Sequence, residues 1–311
     1  MQLEGIHHIT AITADARRNL DFYTRVLGLR LVKKSVNQDD PTAYHLFYSD
    51  ERGSPGADLT FFEYPGARRG RPGSGMVHRI TWRVGSADAL TFWEERLRRE
   101  QITPESKDGR LTFADPEGLG LEIAIVDASD EPLIAEHPEI PPAHALQGFD
   151  GVRAYSPHPA ESRRFLVEAL RFAARGEEQF VARGSRRGAF YTYDRTDRPA
   201  IPGAGTVHHV AWASTMEDHT AWRRRVIDAG GLPTPVIDRF YFRSVYFREP
   251  SGVLFEIATL GPGFTADEPP ERLGERLALP PKFEPLREQL EKTLTPLPNP
   301  REGWARTRSA T

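Results

Sequence analysis

The chain has 311 residues, 39% of them hydrophobic and 27% charged, which is enough apolar sequence for a core in each of two domains. Its 41 basic and 44 acidic residues leave a formal charge of −3 with no long block of one sign, which argues against a phosphate backbone or a membrane surface as partner. With no cysteine there is no disulfide, thiolate metal site or cysteine nucleophile, so any metal must be held by histidine and carboxylate.

The N-terminus, MQLEGIHHIT, lacks the basic and apolar regions of a secretory signal, and no stretch approaches the ~20 apolar residues of a membrane span. Together with the missing cysteines this predicts a cytoplasmic protein. The first predicted strand, GIHHITAIT, carries the histidine doublet His7 and His8. A helix over ARRNLDFYTRVLG follows, closed by Gly28, and then strand runs LRLVKKSV, AYHLFYSD and ADLTFFEY. After a Gly- and Pro-rich link at 66–75, MVHRITWRV opens a second unit, with a helical pattern from Ala87 to Glu100 and a last strand in DPEGLGLEIAI. A second link at 137–148 leads to GFDGVRAYS, a helix over PAESRRFLVEALRF, and strands near EEQFVARG and GAFYTYD. The fourth unit begins with TVHHVAWAS, where the doublet recurs as His208 and His209; it has a helix from Glu217 to Ala229 and ends in EPSGVLFEIAT. Beyond Gly261 the tail is rich in proline, with one helical stretch from Glu284 to Leu294.

The second and fourth units align His78 with His208 and Glu122 with Glu256, and all four read as β-α-β-β-β. Such a unit covers one sheet face with its helix and leaves the other open, so units must pair. The expected fold is α+β, with four tandem βαβββ units pairing into two cup-shaped mixed-sheet barrels. The expected division is an N-terminal pair of units (1–145), a C-terminal pair (146–265) and the tail (266–311).

Neighbouring side chains on a strand point to opposite faces, so one histidine of each doublet looks into the cup. Symmetry allows His7 with His208, or His8 with His209. The second unit has His78 at the first phase but Arg79, which binds no cation, at the second; the third has Gly151 and Val152 at these places. A full ligand set therefore comes from units one and four, and we take His8 and His209, with His7 and His208 behind them. Glu256 lies in the otherwise apolar VLFEIAT, where a carboxylate is costly to bury unless paired or metal-bound, and supplies the third ligand. Two histidines and one carboxylate form the set that leaves open positions on ferrous iron. Glu122 lacks a partner histidine and is expected to pair with Arg79. His45 and His78 are read as core histidines, and Trp82, Trp93, Trp212 and Trp222 as core.

These residues resemble the vicinal oxygen chelate superfamily, whose members pair βαβββ units around a metal, and within it the ring-cleaving dioxygenases of the hydroquinone type. The likeness runs through GIHHIT, FYTRVLGLRLVKKSVNQDDPTAYHLFYSDERGSPG, GTVHHVAW, RFYFRSVYFREPSGVLFEIAT and GPGFTADE; YHLFYSDERGSPG with the second doublet is its most specific part. The resemblance implies an enzyme holding Fe(II), or Mn(II), through His8, His209 and Glu256, with His7, Thr10, His208, Arg239 and Tyr246 around the substrate. It implies a small aromatic substrate, a substituted hydroquinone, cleaved with O2. His208 or His7 would take and return a phenolic proton, while Arg239 and Tyr246 hold the far hydroxyl or a developing negative charge. Neither nucleic acid nor a membrane is an expected partner; a homo-oligomer is.

Rival readings differ at particular residues. A glyoxalase-type isomerase or lyase needs a fourth ligand, for which Glu63 is the candidate. Extradiol cleavage of catechols draws a histidine from the start of the third unit, where GFDGVRAYS has none. A metal-free binding protein of the bleomycin-resistance sort has no use for His8, His209 and Glu256.

Overall fold

The computed structural model describes residues 1–302 and 304. Unit one comprises β1 (Ile6–Thr13), α1 (Ala16–Asp21), β2 (Arg30–Val36), β3 (Tyr44–Ser49) and β4 (Asp58–Glu63). Asp15 caps α1 by accepting the backbone N–H groups of Arg17 and Arg18. The helix expected over 16–28 is shorter than its pattern, because it widens into a π turn at Phe22–Val26 before Gly28, whose φ of 71° closes it. Unit two contains β5 (Met76–Val84), α2 (Ala87–Arg99), β6 (Glu105–Lys107), β7 (Arg110–Ala114) and β8 (Gly120–Ile125). Unit three contains β9 (Phe149–Ser156), α3 (Pro159–Arg164) with a π turn at Phe165–Ala169, β10 (Ala173–Ala174), β11 (Gln179–Arg183) and β12 (Gly188–Arg195). Unit four contains β13 (Val207–Ser214), α4 (His219–Asp228), β14 (Ile237–Asp238), β15 (Arg243–Arg248) and β16 (Leu254–Thr259).

Two eight-stranded mixed sheets result, ordered β14-β15-β16-β13-β1-β4-β3-β2 and β10-β11-β12-β9-β5-β8-β7-β6. In every unit the first strand runs parallel beside the last, and the first strands of two units meet antiparallel, β1 with β13 and β5 with β9. Unit one thus pairs with unit four, and unit two with unit three. This corrects the expected pairing within 1–145 and within 146–265. The cause lies in the links: the segment at 66–75 hydrogen-bonds to the one joining units three and four, through Gly70 to Ala204, Arg71 to Ile201 and Ser74 to Arg198. That crossing holds units one and four on one side of the molecule and units two and three on the other.

The core is continuous across both sheets and includes Ile9, Ile80, Val152 and Val210, one from each unit. Trp82, Trp93, Trp212 and Trp222 are fully buried, as expected of core. The tail lies along the edge of the first sheet, where Ala278 donates its N–H to the Lys34 carbonyl and so covers the otherwise open β2. The buried Lys33 ammonium anchors it, donating to Asp267 at 2.7 Å, to Glu268 and to the Phe264 carbonyl. A 3-10 stretch at Pro281–Leu286 runs into α5 (Arg287–Thr293), within the helical segment read from the sequence. No helix among the described residues is long and apolar enough to cross a membrane.

Candidate metal centre and substrate cup

The doublets sit on β1 and β13, the adjacent middle strands of the first sheet, and each coincides with a break in register. Ile6 faces Trp212 and His8 faces Ala211, leaving His7 as an extra residue; Thr10 faces His209 and Ala11 faces Val207, leaving His208 likewise. These are β-bulges, which re-aim side chains that strict alternation would send apart. The outer histidine therefore does not look away from its neighbour. His7 Nδ1 lies 3.0 Å from His8 Nδ1, and His208 Nδ1 lies 2.8 Å from His209 Nδ1.

The first contact can be assigned a direction. His7 Nε2 is 3.1 Å from the Thr259 carbonyl, which only accepts, so Nε2 carries the hydrogen and His7 Nδ1 accepts from His8 Nδ1–H. His8 then presents a bare Nε2 lone pair on its inner edge; in the second doublet the same Nδ1–Nδ1 contact recurs, without a carbonyl on His208 to fix its direction. The inner atoms converge: His8 Nε2 is 3.2 Å from His209 Nε2 and 3.2 Å from Glu256 Oε2, and His209 Nε2 is 3.0 Å from the same oxygen. Glu256 is fully buried, and its oxygens meet no donor other than these two ring nitrogens. Two imidazole nitrogens and a carboxylate oxygen converging in a buried site could hold a shared cation. This His-His-Glu group is the one set of ligating side chains found to converge this way among the described residues.

Above the group is a narrow cavity, lined from both ends of the strand order by residues of the β2–β3 hairpin and of the segment from Arg239 to Tyr246, so the sheet is curled into a cup. Phe47, Phe62 and Phe242 form its apolar walls. Tyr246 faces Glu256 across the β15–β16 ladder and meets the His209 ring edge-on. Arg239 donates to both Asp39 oxygens at 2.8 Å and reaches the Tyr246 hydroxyl at 3.3 Å. Burial raises the Tyr246 phenol well above its usual range, so it stays protonated. Thr10 is buried on the inner side of β1, bonded at 2.8 Å to Thr60, and does not line the cavity. Neither His7 nor His208 lines the cavity: His7 is buried against Phe242, while His208 is open to solvent on one side and meets the cup wall edge-on at Phe62; burial lowers His7 to about 3, and partial desolvation of its ring lowers His208 to about 4.

Three positions depart from the sequence reading. Glu63 is remote from the group: it accepts the backbone N–H of Ala16 at the start of α1 and the hydroxyl of Thr295. In register, the counterpart of Glu256 in unit one is Thr60, because Thr10 pairs with Thr60 as Ala211 pairs with Glu256. His45, read as core, lines the cup together with Asn37, Gln38 and Asp39, which the sequence reading did not single out. In the third unit the doublet's counterparts are Asp150 and Gly151 rather than Gly151 and Val152, since a bulge falls at Asp150 as it does at His208.

The second sheet has no equivalent group. Arg79 and Gly151 occupy the places of His8 and His209, and Glu122 is satisfied by Arg79 at 3.4 Å, Thr81 at 3.1 Å and Arg110. Gly151 is packed so tightly that a Cβ there would stand 2.3 Å from the Phe190 carbonyl oxygen.

The profile of the Glyoxalase/Bleomycin resistance protein/Dioxygenase superfamily matches residues 5–123 and 148–257. MhqA and MhqO of Bacillus subtilis, both provisionally named ring-cleaving dioxygenases, are 39% and 42% identical, covering 96% and 94% of this chain and 100% and 96% of theirs. A chlorohydroquinone/hydroquinone 1,2-dioxygenase of Sphingobium indicum is 31% identical over 94% of this chain and 96% of its own. The crystal structure of a provisionally named dioxygenase from Bacillus subtilis superposes with a TM-score of 0.89 at 39% identity, covering 96% of this chain and 98% of that one. Glyoxalase I of Zea mays, 14% identical with a TM-score of 0.56 over 84% of this chain and 93% of its own, shares the fold. The chain belongs to the glyoxalase, bleomycin resistance protein and dioxygenase superfamily.

Proposed function

We propose that the protein is a ring-cleaving dioxygenase that inserts both atoms of O2 into a substituted hydroquinone, using Fe(II), or Mn(II), held by His8, His209 and Glu256. The observation that supports the reading is the convergence of two imidazole nitrogens and a buried carboxylate oxygen at the floor of an aromatic-walled cup. The donor set of two imidazoles and one carboxylate suits ferrous iron, and the relatives' names support the reaction and the substrate class. When bound, the ion supplies a path for electrons between ring and dioxygen and brings the two reactants together.

The chain's own residues do the rest. Phe47, Phe62 and Phe242 hold the ring and keep water out. Tyr246 and Arg239 stand near Glu256 and stabilise the negative charge that develops on the nearest substrate oxygen, with Asp39 fixing the guanidinium in place. His208 is the better group for the phenolic proton: it is open to solvent and meets the cup wall at Phe62, whereas His7 is buried and committed to the Thr259 carbonyl. Glu63, tied to α1 and Thr295, is not available as the fourth ligand of an isomerase.

The test is anaerobic reconstitution with ferrous iron, followed by oxygen uptake on adding hydroquinone, methylhydroquinone or catechol. Stoichiometric uptake with the hydroquinones, lost in His209→Ala, is the expected result. One metal per chain with no uptake on any ring overturns the proposal.

A further inference from the structure

We propose that His45, with Gln38 beside it, is the subsite for the ring hydroxyl farthest from the metal ligands, and that it makes the cup select para-dihydroxy rings. This rests on the ring-cleaving reading and assigns the part of the substrate which that reading leaves without a partner.

The polar groups of the cup are nearly all engaged with one another. Arg239 is held by Asp39 and touches Tyr246, and Asn37 donates to the Tyr64 hydroxyl at 3.1 Å while accepting the Asp39 N–H at 3.0 Å. Two atoms are not engaged. Gln38 donates its Nε2–H to the Arg239 carbonyl at 2.6 Å, which leaves its Oε1 buried with no donor. His45 is tied by Nε2 to the Thr60 hydroxyl at 2.9 Å, and no group among the described residues meets its Nδ1. Both come from the β2–β3 hairpin. A buried oxygen without a donor is unfavourable, and the His45 nitrogen, on a residue lining the cavity, is free to pair, so a ligand that supplies a hydroxyl there gains what the free protein lacks.

His45 is also rigidly aimed. Its ring packs against Phe47 and Phe62 with centroids 3.9 and 4.4 Å away, and Thr60 is in turn held by Thr10 at 2.8 Å. Burial keeps the imidazole neutral, so it offers the hydrogen-bonding edge of an uncharged ring. Its place in the strand order sets the reach: β3 stands two strands from β1, about 10 Å along the sheet, whereas β15, which carries Tyr246, adjoins β16 and Glu256. A single ring with one oxygen at the ligand group presents its opposite oxygen toward the hairpin. An ortho hydroxyl stays beside the ligands and never reaches His45.

The experiment compares ligands that differ by one hydroxyl. Metal-loaded protein is titrated anaerobically with phenol, hydroquinone and catechol by calorimetry, with bound metal measured for every variant. Wild type should bind hydroquinone about fivefold to tenfold tighter than phenol, the worth of one net hydrogen bond. His45→Phe should abolish that preference while changing phenol and catechol less than about twofold. Gln38→Leu, which leaves the His45 stack untouched, should reduce it in part, and His45→Asn should restore some of it. A hydroquinone preference that survives His45→Phe, or an equal loss for all three ligands, overturns the proposal. Failure of the parent reading looks different, because wild type would then consume no oxygen with any ring.

Discussion

Replacing Glu256 by glutamine should move stability in opposite directions with and without metal. In the metal-free protein the carboxylate meets two imidazole nitrogens at 3.0 and 3.2 Å, that of His8 carrying no hydrogen, and no other donor reaches its oxygens. Leaving such a group unsatisfied costs about 1–3 kcal/mol, and the glutamine amide removes the charge while donating to the nitrogens. A cooperative unit of this size has an unfolding entropy near 0.6 kcal/mol per degree, so metal-free Glu256→Gln should melt about 2–5 °C above wild type. Metal reverses the order. At a free concentration of 100 times Kd, binding adds about 2.7 kcal/mol, or about 4 °C, to wild type, and little to a variant that has lost a charged ligand. Thermal melting followed by fluorescence, with chelator and then with Mn(II), which resists oxidation by air, reads both arms. A lower melting point for the metal-free variant, or an unchanged Mn(II) shift, would refute the picture of a ligand group waiting for a cation.

Two further outcomes follow from named contacts. His7→Phe keeps the ring packed against Phe242 but removes the acceptor for His8 Nδ1–H, so metal affinity should fall about 10- to 100-fold by equilibrium dialysis; unchanged affinity would remove His7 from the site. Burial pushes Asp115 up to about 6, against the hydrogen bonds it receives from Leu119, Tyr23 and Glu117. A folded-state value above the unfolded one means that the group favours folding below about pH 4, and that this contribution is lost as pH rises through about 6. Urea midpoints should show wild type losing on the order of 2 kcal/mol across that window relative to Asp115→Asn, and parallel pH profiles would contradict it.

The parts of the site legible in the sequence were those the repeat wrote twice. His8, His209 and Glu256 could be matched unit to unit because each occupies a fixed place on the first or last strand of a βαβββ pattern. The pairing of units could not be read that way, because every unit presents the same kind of first-strand edge to a partner. A ligand set drawn from units one and four already requires those two to share a sheet, and the crossing of two links, with Gly70 bonded to Ala204 and Arg71 to Ile201, accompanies that arrangement. Strict alternation also sent His7 and His208 the wrong way, since a bulge adds a residue without leaving a mark in the local pattern. His45 was set aside because its strand, YHLFYS, is apolar on both faces, and nothing in that run tells a packed face from one that lines a cavity. Glu63 was a fair candidate by unit position alone, and register gave its place to Thr60.

Gly151 gives the two halves of the molecule different relations to metal supply. Phe190 lies opposite it in the β9–β12 ladder, so a histidine there would have to prise two strands apart, and no single substitution returns the second sheet to metal binding. Glu122, meanwhile, has permanent cations in Arg79 and Arg110. That half needs nothing from solution to neutralise its buried carboxylate, whereas the half built from units one and four holds an unpaired one until an ion arrives. Of two halves that share one core, one has its buried charge balanced by its own side chains and the other leaves that balance open to an ion from outside.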